Sequence, residues 1–194
     1  MTTAPIELRS ARLILRRWTP SDRPVFGDMN ADPVVMEFFP STMTRAESDA
    51  TMQRIEDHFD AEGFGLWAIE VESTGTFAGF VGLLSATFEA PFTPAVEIGW
   101  RLRSDQWGHG YATEAARKAL ADGFVRLGLD EIVSFTAAIN QRSRRVMERL
   151  GMQRDAADDF DHPAVAEASP LRPHVLYRLT RSDWELDERS RESG

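Results

Sequence analysis

Gly108-His109-Gly110 lies between a strand-like run, Val96 to Leu102, and an alanine-rich helical segment from Ala112 to about Leu127. Glycines at such a junction let the chain adopt positive φ and let a ligand come close to the main chain. The first N–H groups of the new helix lack intrahelical partners and sit at the positive end of its dipole. That combination suits an anion, most naturally a phosphate. Glycine at a strand–helix turn also occurs for geometry alone. The spacing lacks both the Lys-Ser or Lys-Thr of a P-loop and the three glycines of a dinucleotide fingerprint. A second block follows: Glu131 to Ile139 reads as a strand, and Asn140-Gln141-Arg142-Ser143 opens a helix that runs to Leu150-Gly151-Met152.

These segments need a scaffold. Ala11 to Trp18 alternates apolar residues with arginines, the period of a half-buried strand. Thr19-Pro20-Ser21-Asp22 then starts a short helix through Met29, and Asp32-Pro33 begins a further turn. Thr44 and Glu47 fit a capping box for a helix that carries Met52, Ile55 and Phe59 inward and stops near Gly63. Leu66–Val71 and Phe77–Ser85 are strands joined at Ser73-Thr74-Gly75. Arg154 to Pro173 reads as a long surface loop, His174 to Thr180 as a closing strand, and Ser190 to Gly194 as a frayed tail. Strands, two strand–helix units and a last strand make a mixed α/β domain with one central sheet.

Together the two blocks resemble the GNAT N-acetyltransferase superfamily, in particular its ribosomal-protein-alanine N-acetyltransferase-like branch. The signature Gln/Arg-x-x-Gly-x-Gly/Ala is matched by Trp107-Gly-His-Gly110-Tyr-Ala112, with Trp107 replacing the usual Gln or Arg. Asn140, Ser143 and Leu150-Gly151-Met152 match the second signature. Leu8 to Arg16 is similar to the family's first strand. The resemblance implies one GNAT domain over residues 1–194, with a core of about 6–184. It further implies a central mixed, mostly antiparallel sheet, splayed between its fourth and fifth strands and flanked by helices. Those two strands correspond to Val96–Leu102 and Glu131–Ile139, and acetyl-CoA wedges into the splay, its pantetheine pairing like an added strand.

The implied reaction is direct attack of a primary amine on the acetyl thioester in a ternary complex. It needs a deprotonated amine, a donor for the oxyanion and a proton for the thiolate. The implied cofactor-binding set is Leu102, Arg103, Trp107, Gly108, His109, Gly110, Tyr111, Ala112, Thr113, Asn140, Ser143 and Arg145. Within it the N–H near Leu102 would hold the acetyl carbonyl, Gly108 to Thr113 the pyrophosphate, and Asn140 the pantetheine arm. Asn140 also reads as a plain helix cap. The tyrosine that many relatives use as acid is replaced by Met147, which leaves Ser143 or water. Glu97 is the candidate base, because it faces opposite to Val96 and Ile98 and an apolar setting would raise its pKa. Glu37, Glu89 and His174 are alternatives. Met36–Pro40, Phe88–Pro94 and Asp155–Pro173 are the expected acceptor-binding segments, and of Phe38, Phe39, Trp67, Phe88 and Phe92 about two should line a cleft.

Composition limits the partners. A formal net charge of −9 argues against a sequence-independent grip on nucleic acid, which needs a basic face. Arg117, Lys118, Arg142, Arg144, Arg145 and Arg149 nevertheless crowd the two helices beside the turn, where they suit an anionic cofactor. No apolar run approaches a membrane span, and Met1 to Pro5 lacks a secretory start. With no cysteine there is no thiolate metal site or cysteine nucleophile, and no metal is expected. A cytoplasmic enzyme is the expectation, acting on a protein N-terminal α-amine or a small-molecule amine, with a homodimer left open. The alternative is a module of the same fold that senses acetyl-CoA without turning it over.

Overall fold

Leu13 and Leu15 are wholly buried while Ile14 and Arg16 are only partly so, the alternation expected of a strand with one face on a core. The computed structural model describes residues 7–192. It divides the expected opening strand into two, β1 (Leu8–Arg9) and β2 (Leu13–Arg16), which pair antiparallel through a turn at 10–12. α1 (Asp22–Ala31) and α2 (Arg45–Glu62) follow. The capping box forms as read: Glu47 N–H donates to Thr44 Oγ1 at 3.3 Å, and Thr44 N–H donates to Glu47 at 2.7 Å. Gly63 ends α2 with φ of 74°, and its N–H reaches the Phe59 carbonyl.

β3 (Leu66–Val71) and β4 (Thr76–Ser85) form an antiparallel hairpin, and β5 (Val96–Leu102) comes next. α3 spans Tyr111–Ala121 and continues as a π-helical stretch over Asp122–Arg126. β6 (Glu131–Ala137) is two residues shorter than the sequence suggests. The Asn140 N–H folds back on the Ala137 carbonyl at 2.8 Å, so 138–139 form a turn. α4 (Gln141–Arg149) follows.

The Arg154–Pro173 segment is not a bare loop. A 3₁₀ turn occupies Ala156–Asp158, and β7 (Phe160–Asp161) pairs with β8 (Pro173–Thr180). The expected tail at Ser190 is corrected as well: α5 (Arg181–Glu192) carries the chain through Ser190 in helix, and residues 193–194 lie outside the described residues. The opening segment, Met1 to Pro5, also lies outside them.

The strands hydrogen-bond in the order β1-β2-β3-β4-β5-β6-β8-β7. β1 with β2, β2 with β3, β3 with β4, β6 with β8 and β7 with β8 pair antiparallel, whereas β5 with β6 is parallel, with Glu97 opposite Val133. The chain divides into two compact units, Met1–Leu84 with Gly99–Ala119, and Ser85–Ile98 with Leu120–Gly194. In the first, Trp67, Phe26, Leu13, Leu15, Ile69 and Leu83 are buried among the helices and strands. In the second, Phe124, Ile132, Met147 and Leu176 fill the interior.

One backbone contact in the first unit shapes the site. At Gly79, with φ of 141°, a Cβ would come within 2.2 Å of the Arg101 carbonyl oxygen and 2.6 Å of the Leu102 Cα. Only glycine lets β4 come this close to the end of β5. Arg103 N–H, donating to the Ala78 carbonyl at 3.0 Å, fixes that end.

Candidate active site

The glycine turn begins where β5 ends. Trp107 donates its indole N–H to the Leu102 carbonyl at 3.0 Å, so the residue that departs from the signature ties the turn to the strand end. Gly108 and Gly110 take φ of 81° and 80°. No atom lies within 4 Å of a Cβ built on Gly108, and the nearest to one on Gly110 is an Arg12 nitrogen at 3.7 Å. The glycines are therefore demanded by conformation, and the space above the turn is open to a ligand. Glu114 N–H reaches the Gly110 carbonyl at 3.1 Å as the first turn of α3 closes. The N–H groups of Tyr111, Ala112 and Thr113 precede that bond.

Arg12, which the sequence reading passed over, clamps this turn. Its guanidinium donates to the His109 carbonyl at 3.0 Å and to Glu114 at 2.6 and 2.8 Å, and it lies 4.9 Å from the Tyr111 ring centre. His109 and Tyr111 stack at 5.2 Å. Burial works to raise the Glu114 pKa, but the hydrogen bonds from Arg12 and Ser10 outweigh it and hold the carboxyl below its ordinary value. Arg103 pairs with Asp105 at 2.7 Å, which leaves its charge partly committed. Leu102, Arg103 and Trp107 to Thr113 are thus brought together within the first unit.

Glu97, Asn140, Ser143 and Arg145 belong to the second unit. Asn140 caps α4: its Oδ1 accepts the Ser143 N–H at 3.2 Å, and its Nδ2 donates to Thr136 Oγ1 at 2.9 Å and Ser143 Oγ at 3.1 Å. Ser143 Oγ accepts that bond, and the residue is half-buried. Arg145 is exposed, whereas Arg144 is spent on the Ala138 carbonyl at 3.2 Å. Met147 is 1% exposed and belongs to the core.

Glu97 is half-buried on β5, and its carboxyl has no side-chain hydrogen bond or ion pair among the described residues. Burial alone pushes its carboxyl up to about 7. Of the other base candidates, Glu37 and Glu89 are exposed. His174 is half-buried, its imidazole pKa pulled down by burial, and its Nδ1 lies 3.0 Å from the Arg172 carbonyl.

The expected acceptor segments differ in character. Trp67 is wholly buried in the core and Phe39 is 38% exposed. Phe88 and Phe92 join Phe135, Phe160, His162 and His174 in a half-buried aromatic cluster, with Phe88 to His162 at 4.8 Å and His162 to His174 at 4.9 Å. A hollow of about 290 Å³ opens beside Phe160 and His174.

Residues 12–153 match the acetyltransferase (GNAT) domain family. The chain belongs to that family. This GNAT protein is an acyltransferase that carries out acetyl transfer, and acetyl-CoA is the family's donor. It is 28% identical over 150 residues to the N-acetyltransferase YoaA of Bacillus subtilis, covering 76% of this chain and 83% of that one. It is 35% identical over 130 residues to the FsC-acetyl coenzyme A-N(2)-transacetylase of Aspergillus fumigatus, covering 63% of this chain and 52% of the relative. An acetyltransferase structure from Agrobacterium tumefaciens superposes with a TM-score of 0.72 at 26% identity, over 92% of this chain and 96% of that one.

The two readings of Asn140 separate in one variant. Asn140→Ala is expected to cost about 1 kcal/mol of stability as a lost cap. If the residue also orients the pantetheine arm, acetyl-CoA affinity falls by a further 0.5–1.5 kcal/mol or so, and turnover falls with it. Calorimetry and melting curves measure both, and a lowered melting temperature with unaltered affinity and kinetics leaves only the cap.

Proposed function

We propose that this protein is an N-acetyltransferase that moves the acetyl group of acetyl-CoA to a primary amine by direct attack in a ternary complex, within one domain of residues 1–194. The observation that carries this reading is the glycine turn: two left-handed glycines, open space where side chains would stand, and the amide end of α3 beyond them. Those features suit a pyrophosphate held by main-chain N–H groups from Gly108 to Thr113. Trp107 anchors the turn, and Arg103, His109, Tyr111 and Arg145 flank the cofactor. Asn140 orients the pantetheine arm, and the N–H near Leu102 holds the acetyl oxygen.

In this mechanism the amine nitrogen gives its proton to Glu97 and forms a bond to the acetyl carbon. The tetrahedral intermediate collapses, the C–S bond breaks, and the CoA thiolate leaves with the electron pair. The thiolate takes a proton from Ser143, which is replenished from water, or directly from water. The acceptor is a protein N-terminal α-amine, as in the ribosomal-protein-alanine-like branch, or a small-molecule amine. The names of the Bacillus and Aspergillus relatives support nitrogen as the acceptor atom. A cytoplasmic setting without nucleic-acid partners agrees with the net charge of −9, no described helix is long and apolar enough to cross a membrane, and a homodimer is compatible with it.

Met147 at the tyrosine position is buried and has no transferable proton, so the acid of the common family pattern is absent. CoA release on addition of a panel of amines tests the N-acetyl-transfer reading, which fails if no amine is turned over. Ser143→Ala is expected to lower kcat about tenfold while changing KM little, because an acid acts on the leaving group and not on acceptor binding. A wild-type kcat assigns the proton to water.

A further inference from the structure

Most strand arginines of this protein are neutralised by carboxylates. Arg16 binds Asp22 and Glu70, and Arg178 binds Asp158 and Glu131. Arg17, just after β2, binds Glu56 and Asp60. Arg101 on β5 is different, because no carboxylate lies within ion-pair distance of it among the described residues. Its guanidinium sits 4.1 Å from the Phe39 ring centre and 5.4 Å from that of Phe80. Nη1 donates to Asn30 Oδ1 at 2.6 Å, and Nε is buried with no hydrogen bond among the described residues. Asn30 is wholly buried and donates in turn to the wholly buried Ser48 hydroxyl at 2.8 Å.

This is a charge held in place and left uncompensated. Asn30 and Ser48 orient the guanidinium through neutral oxygens, and Phe39 and Phe80 support its face, an arrangement arginine tolerates better than lysine. Burial pulls the Arg101 pKa down to about 10, which leaves the cation intact at neutral pH. A half-buried cation without a counter-ion carries a desolvation cost, and a ligand carboxylate offering two oxygens to the fork offsets it. The bracket is reachable: Phe39 is 38% exposed and also lines a hollow of about 360 Å³ with Met36, Thr42 and Arg54. Arg101 is also the chain neighbour of Leu102, whose N–H is the proposed holder of the acetyl oxygen.

We propose that Arg101, framed by Phe39 and Asn30, binds a carboxylate of the acceptor, so that the acceptor is an amine that also carries a carboxylate, such as an amino acid. This rests on the acetyl-transfer reading above and selects a small molecule over a protein terminus.

The test compares L-amino acids with their carboxamides. In protein with ¹⁵N-labelled arginine, the Nε–H resonance of Arg101, assigned through Arg101→Lys, is expected to shift on titration with the carboxylates and not with the carboxamides. No shift with either, equal shifts with both, or a shift with desulfo-CoA alone overturns the proposal, the last assigning Arg101 to the cofactor. In CoA-release assays the carboxylate form is expected to exceed the carboxamide at least tenfold in kcat/KM. Arg101→Lys should shrink that ratio, and Arg101→Met should bring it near one with acetyl-CoA affinity retained. A ratio near one in the wild type removes the proposal and leaves acetyl transfer standing. If no amine is turned over, acetyl transfer falls while the titration still decides what Arg101 binds.

Discussion

Gly110→Val is expected to weaken acetyl-CoA binding by roughly ten- to a hundredfold, because main-chain bonds to a charged group contribute about 1.5–3 kcal/mol each. Two costs have to be separated. A β-branched residue at φ of 80° strains the backbone, which costs on the order of 1–3 kcal/mol of stability wherever it occurs. The side chain also stands in the open space above the turn and pushes a pyrophosphate off the amides of Tyr111 to Thr113. Gly75 supplies the control. It has φ of 65°, nothing within 4 Å of a built Cβ, and a place in the β3–β4 hairpin. Gly75→Val should lower the melting temperature by a similar amount and leave acetyl-CoA affinity unchanged. Calorimetry on the two folded variants reads the difference. Equal affinities in both mean that Gly110 serves the turn's geometry and not a ligand.

The parts of this molecule that could be read from the sequence are those governed by local chemistry. Thr44 and Glu47 close their box with atoms three residues apart, and Gly63 stops α2 because the left-handed cap suits glycine, so both were visible in the letters. The glycine turn and the Asn140–Ser143 start of α4 were visible for the same reason. What was missed depends on contacts distant in sequence. α5 has few apolar residues to show a period. It is fastened by Trp184 stacking on Phe124 at 5.2 Å, and by Arg181 donating to the Phe124 and Leu129 carbonyls at 2.7 Å. β7 is two residues long and gains its identity only by pairing with β8. Arg12 and Arg101 looked like ordinary members of alternating strands. One holds a turn 97 residues away, and the other lacks the carboxylate its neighbours have. Partnership of this kind is a property of the folded chain, and no spacing rule reports it.

Glu97→Gln should give the largest kinetic effect, and its sign can be worked out from the burial of this one carboxyl. Burial raises the Glu97 pKa to about 7, so the group is mostly neutral below that pH and mostly ionised above it. A base must be ionised to accept the amine proton. Wild-type kcat/KM should therefore fall about tenfold per unit as pH drops below 7, and Glu97→Gln should abolish that limb and lower the rate about a hundredfold at neutral pH. Stability supplies an independent reading of the same group. A folded-state pKa above the unfolded value means that Glu97 favours the fold at low pH, and that this advantage is lost as pH rises through 7. After allowance for residual solvent the difference is about 1–2 kcal/mol. The melting temperatures of wild type and Glu97→Gln should accordingly separate between pH 5 and 8, with the glutamine variant the more stable at the alkaline end. A gap in stability without a change in the pH–rate profile would show a buried carboxyl that titrates but takes no proton from the amine. The free amine would then attack unaided, and the enzyme would act by holding the two reactants in place, which is worth several kcal/mol in itself.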